Sequence, residues 1–186
     1  MGLIILAFLW GLSEATFFFI IPDVILTFIA IHGFKEGFNA SLLALAGALI
    51  GGSIMYFYAV YQFKDARKFV RRVPSVSEKM LGNVEQSLAS KGTIAMILGP
   101  IRGIPYKAFA IFAPKAGINY ISFFLASIPA RFTRFFLTFM IAWLLADVLF
   151  KNIPMWAKYG VWAIIWIIVY IIYFSIHPWK GHPKGR

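Results

Sequence analysis

Cysteine is absent from this chain of 186 residues, which excludes a disulfide framework and any thiolate metal site. Charge is scarce as well: Asp, Glu, Lys and Arg make up 13% of the residues, about half the share found in soluble domains. Acid is scarcer than base, with 7 Asp and Glu against 18 Lys and Arg. Histidine occurs three times; His177 and His182 in the tail are too few for a metal site. The aspartates Asp23, Asp65 and Asp147 are too scattered for a multi-aspartate metal motif. No metal and no cofactor is expected. What remains is apolar: 61% hydrophobic, 18% aromatic, with a mean hydropathy of +0.79. That composition predicts an all-α integral membrane protein built as one membrane domain. The first residues enter apolar sequence without a basic leader region, so no cleaved segment is expected.

The stretch around which the rest is organised is Gly99-Pro100-Ile101-Arg102-Gly103-Ile104-Pro105-Tyr106-Lys107. Two prolines and two glycines inside an apolar segment break a helix. Pro105 suits the first position of a new helix, which aims its positive end and free N–H groups towards Arg102. Lys107 stands one turn in. Residues 3–31 carry a similar interruption at Ile21-Pro22-Asp23, with Glu14 before it. Ala7, Gly11, Glu14 and Phe18 share one face at helical spacing. A carboxylate near the bilayer centre costs roughly 2.5–3.5 kcal/mol, so Glu14 is expected to be paired or to line a wet cavity.

The remaining segments read more simply. Residues 39–63 form a span whose Ala40, Ala44, Gly47 and Gly51 make one smooth face for close packing. Residues 64–91 hold seven Lys and Arg against Asp65, Glu78 and Glu85. Apolar stripes there predict two short helices on the membrane surface, the second opened by a capping box from Ser75 to Glu78. Their basic face suits anionic lipid; with no aromatic stacking platform, nucleic acid is not expected. Residues 119–150 form a span in which Ser127, Arg131, Arg134 and Thr138 share a polar face at mid-depth. Residues 158–176 are plainly apolar, and 177–186 form a basic tail.

The cations set the topology. Excess Lys and Arg place both 64–91 and the tail on the cytoplasmic side. Three crossings between them would put the tail on the wrong side, so residues 93–117 are expected to re-enter rather than cross. The predicted order is a broken-helix hairpin and span (1–63), a cytoplasmic amphipathic region (64–92), a second hairpin and span (93–150), a last transmembrane helix (151–176) and the tail (177–186). It is an arrangement of two inverted repeats.

Glu14 with Ile21-Pro22-Asp23, the small-residue span with Gly47, Gly51 and Tyr56, and Gly99-x-x-Arg102 through Pro105 to Ala116-Gly117 resemble the DedA family of VTT-domain, or SNARE-associated, membrane proteins. The resemblance covers about residues 5–145. It implies lipid movement across a membrane: recycling of undecaprenyl phosphate linked to proton-motive force in bacterial members, phospholipid scrambling in eukaryotic relatives. The family's acidic pair would fall on Glu14 and Asp23, and its basic pair on Arg102 and Lys107. Pro22-Asp23 stands where the family usually has Pro-Gly-Asp.

The expected function is transport of a lipid with an anionic phosphate headgroup, proton-coupled, in a prokaryotic cytoplasmic membrane. Arg102, Lys107, Arg131 and Arg134 are the expected headgroup ligands, because guanidinium matches phosphate oxygens in bidentate fashion. Glu14 and Asp23 are the expected proton carriers. The alternatives are an energy-independent scramblase, a non-transporting assembly factor, and, last, a lipid-phosphate enzyme, for which no nucleophile or metal motif is present. A homo-oligomer is compatible with the sequence.

Overall fold

The computed structural model describes residues 2–74, 76–99 and 103–176; Arg102, Ser75 and the tail lie outside the described residues. Among the described residues the chain is all-helical, without strands. The helices are α1 (Gly2–Thr16), α2 (Asp23–Ala30), α3 (Phe34–Arg71), α4 (Glu78–Lys91), α5 (Thr93–Leu98), α6 (Tyr106–Phe112), α7 (Tyr120–Leu144) and α8 (Met155–Ile176). A π-helical turn, Leu145–Leu149, extends α7. Phe34–Arg71, Tyr120–Leu149 and Met155–Ser175 are long and apolar enough to cross a membrane.

Both breaks expected from Pro and Gly are present. α1 ends at Thr16, and α2 begins at Asp23 after Pro22. α6 begins at Tyr106, one residue later than expected, with Pro105 as its N-cap. Other boundaries differ. The separate surface helix expected from residue 64 is the continuation of α3, which bends where Gln62 leaves helical geometry (φ −142°, ψ 63°). α4 is capped by Ser77, whose side chain accepts from the Met80 N–H at 3.1 Å, not by Ser75. Glu78 sits in the first turn and accepts from Arg71 at 2.9 Å and Arg67 at 2.7 Å. These guanidiniums, Arg71 foremost, hold its carboxyl below the ordinary carboxylate value.

Small residues set the packing. The smooth face of α3 is buried at Ala40, Ala44, Gly47 and Gly51, and α1 lies directly on it. A side chain at Gly47 would strike the Phe8 carbonyl, and one at Gly51 would meet Leu12, Ala15 and Thr16. Contacts advance in step along both helices, so α1 and α3 run parallel. α7 runs the other way: Tyr120 meets Ser53 at 3.0 Å, whereas Phe139 packs by Phe34 and Phe38 at the start of α3. α6 runs with α3, from Tyr106 at Gly52 to Phe112 at Phe63.

α8 is different. The window that qualifies it as a span is wholly unburied, and its ties are mostly polar anchors. Trp162 and Trp166 donate to Thr27 Oγ1 at 3.0 and 2.9 Å, Tyr159 meets His32 at 3.0 Å, and the Ile21 N–H donates to Tyr170 at 3.3 Å. Tyr173 shares a cavity with Val73 and Pro74, so the far end of α8 lies at the end of the bundle where α3 meets α4. Single cysteines at Gly82 and Ser175 are therefore expected to react with an impermeant reagent from the same side of the membrane. Labelling from opposite sides overturns this arrangement.

Candidate functional site

Five charged side chains from four helices meet inside the bundle. Glu14 sits two residues before α1 ends, where the close Gly11–Ala44 and Gly47–Phe8 approaches hold α1 tightly against α3. Asp23 opens α2, at the positive end of that helix. Lys107 is the second residue of α6. Arg131 and Arg134 stand one turn apart on α7, near the middle of its apolar length.

Four of them are buried: Glu14 is 4% exposed, Asp23 3%, Lys107 1% and Arg131 1%. Arg131 Nη2 donates to Glu14 Oε2 in an ion pair. Its guanidinium also lies over the rings of Tyr106 (5.0 Å) and Phe135 (4.7 Å), contacts in which the ring faces attract the cation. Among the described residues Arg131 Nε has no hydrogen-bond partner. Arg134 Nη2 donates to Asp23 Oδ2 at 2.8 Å, and Thr138 donates to Asp23 Oδ1 at 2.7 Å. Lys107 Nζ donates to the Phe18 carbonyl at 2.6 Å, one of the acceptors left free where α1 unwinds. Among the described residues no carboxylate lies within ion-pair distance of it.

Three cations thus face two carboxylates. Of the five, Glu14, Lys107 and Arg134 border a cavity of about 250 Å³, lined also by Pro105, Tyr170 and Tyr173, which reaches Val73 and Pro74 at the α3–α4 turn. Arg131 is not in its wall. A second, apolar groove of about 270 Å³ lies between α2, α7 and α8, lined by Thr27, Thr138, Trp162 and Trp166 among others. Asp23 links the two walls, accepting from Arg134, which lines the first space, and from Thr138, which lines the second.

Of the residues singled out from the sequence, Glu14, Asp23, Lys107, Arg131 and Arg134 come together, and Arg102 lies outside the described residues. The polar face of α7 acts as a unit: Tyr106 donates to Ser127 at 2.7 Å, Arg131 takes Glu14, and Arg134 and Thr138 take Asp23. Sequence reasoning missed the α8 wall. Tyr170 and Tyr173 belong to a helix apolar on every side, which carries no periodic signal to single them out. It also missed the Phe18 carbonyl, because a backbone acceptor at an unwound helix end has no residue-type signature. Among the described residues no group of His, Cys, Asp and Glu is arranged to hold a metal.

Comparison of this chain with known protein families, with curated proteins and with solved structures finds no match.

Proposed function

We propose that this protein is a membrane transporter for a lipid bearing an anionic phosphate headgroup, as the resemblance to the DedA family implies. One observation carries the reading: a cluster of three basic side chains and two carboxylates opens onto a cavity, and one of the bases, Lys107, has no carboxylate partner among the described residues. A charge on Lys107 at bilayer depth is costly without a counter-ion, and an anionic headgroup entering the cavity supplies one. Arg134, whose side chain is 27% exposed, faces the cavity with donors free for phosphate. Arg131, locked by Glu14 and two aromatic rings, positions the site. The apolar groove beside α8 suits the lipid's hydrocarbon part.

The reading includes the inverted architecture. α1, α2 and α3 repeat, in the opposite sense, the order of α5, α6 and α7. A broken pair precedes each span, the short second helix runs against that span, and α3 and α7 are antiparallel. Glycines of positive φ, Gly33 (151°) and Gly117 (74°), turn the chain in the corresponding connections. On this view the two broken pairs are re-entrant and meet at the ion cluster, the arrangement that favours alternating access about a midplane site. On the same reading, the excess Lys and Arg of the α3–α4 region favour a cytoplasmic location for that end.

The test is headgroup movement in proteoliposomes, followed with short-chain fluorescent phosphatidylglycerol and with polyprenyl phosphate. Wild-type protein is expected to move at least one of them. Arg134→Lys keeps the charge but loses the planar fork, and is expected to slow movement roughly tenfold, the equivalent of one charge-assisted hydrogen bond. Wild-type protein that moves neither lipid overturns the proposal. Stoichiometric release of inorganic phosphate would point instead to an enzyme.

A further inference from the structure

The cluster contains one charge that differs in kind from the other four. Glu14 is committed to Arg131, and Asp23 to Arg134 and Thr138. Protonating either carboxylate strands a guanidinium inside the membrane, and a guanidinium stays charged at any accessible pH. Lys107 has no such bond to break. Its ammonium holds only a carbonyl oxygen, and a neutral amine still has N–H groups to donate to that carbonyl. Lysine, unlike arginine, readily gives up its proton when buried.

The surroundings of Lys107 are sparse. Glu14 faces it from α1, Arg131 and Arg134 from α7, and Tyr170 and Tyr173 from α8 across the cavity; Tyr106 is its neighbour on α6. α3 and α4 also pack on α6, but neither places a charged side chain in the cavity wall among the described residues. Two of these neighbours are permanent cations, and the one carboxylate is already engaged.

We infer that Lys107 is the proton-exchanging group of the cavity: a neutral amine when the cavity is empty, an ammonium when a phosphate headgroup occupies it. The step is simple. A hydronium ion or buffer acid from the bulk gives one proton to the amine lone pair: an N–H bond forms, the donor's bond to that hydrogen breaks, and the donor's conjugate base stays in bulk water. A monoanionic headgroup then enters together with one positive charge, so the cluster and its cargo gain no net charge. The inference rests on reading the cavity as a phosphate-headgroup site, and moves the proton-carrying role expected of Glu14 and Asp23 to the lysine.

Titration calorimetry of detergent-purified protein in buffers of different ionisation enthalpy tests this. The probes are dihexanoyl-phosphatidylglycerol, whose phosphodiester does not titrate near neutral pH, and dihexanoyl-phosphatidic acid. Inorganic phosphate is run as a third arm to separate a lipid headgroup from a free anion. Wild-type protein is expected to take up about one proton per phosphatidylglycerol bound, with affinity falling about tenfold per pH unit once the amine is neutral in the empty cavity. Lys107→Arg is expected to bind without proton uptake and without that slope. Lys107→Met is expected to bind more weakly, also without uptake. Binding by wild type with no proton uptake overturns this inference alone, as does uptake that persists in Lys107→Arg or is abolished only by Glu14→Gln. Failure of wild type to bind either lipid overturns the headgroup reading and this inference with it.

Discussion

Arg131→Ala is expected to destabilise the protein by about 3–5 kcal/mol, because it leaves the Glu14 carboxylate buried without its counter-charge. No other single change among the cluster residues should cost more. Arg131 is 1% exposed, pairs with Glu14 and is clasped by two aromatic rings. Glu14→Gln should be milder, since an amide oxygen still accepts from the guanidinium while the arginine's charge goes unbalanced. The apolar double variant Glu14→Leu with Arg131→Met separates the roles. Replacing a buried pair by hydrophobic residues is often neutral or stabilising by about 1–4 kcal/mol, so thermal stability should return. Lipid movement should not return with it, because Tyr106 and the start of α6, where Lys107 stands, lose the cation that orders them. The measurement is the midpoint of thermal unfolding in detergent alongside the proteoliposome assay. Wild-type stability in Arg131→Ala would remove the buried pair from any account of the fold.

Gly47→Val should separate α1 from α3. A Cβ at Gly47 would strike the Phe8 carbonyl oxygen and lie 2.9 Å from the Leu12 nitrogen. Both atoms are backbone, so no rotamer change relieves the clash. Overpacking of this kind costs roughly 1–3 kcal/mol, and more where the surroundings cannot yield. Because α1 carries Glu14, the shift should also weaken the Arg131 pair, and protein yield from membranes should fall. Gly160→Ala is the control. Gly160 lies in α8, where a methyl group would meet none of the described residues within 4 Å, and the change should be neutral or raise stability by up to about 1 kcal/mol. Equal behaviour of the two variants would mean that α1 does not rest on α3 through its glycines.

Much of this architecture was legible before any coordinates. Composition alone points to apolar helices, and Pro22 and Pro105 mark both breaks because proline acts through its own ring and missing N–H, whatever surrounds it. The faces Ala40–Ala44–Gly47–Gly51 and Ser127–Arg131–Arg134–Thr138 were equally plain, since helical periodicity is a local property. Where local signals competed, the reading slipped. Gln62 bends a helix without proline or glycine, so residues 64–71 looked like a new element. The capping-box pattern pointed to Ser75, but Ser77 caps α4, a start that the pairing of Glu78 with Arg67 and Arg71 favours.

By itself, then, the sequence determined which residues are too costly to leave alone in a bilayer: Glu14, Asp23, Lys107, Arg131 and Arg134, with Arg102, which lies outside the described residues. It could not determine how they pair, because a charge on one helix carries no record of which helix it will face. Only the tertiary structure decided that Arg131 takes Glu14, that Arg134 and Thr138 share Asp23, and that Lys107 is left to a backbone carbonyl. The physical reason lies in the glycine contacts of α1 on α3, which set how far Glu14 reaches, and in the unwinding of α1 after Thr16. That unwinding frees the Phe18 carbonyl, and the α6 lysine reaches it.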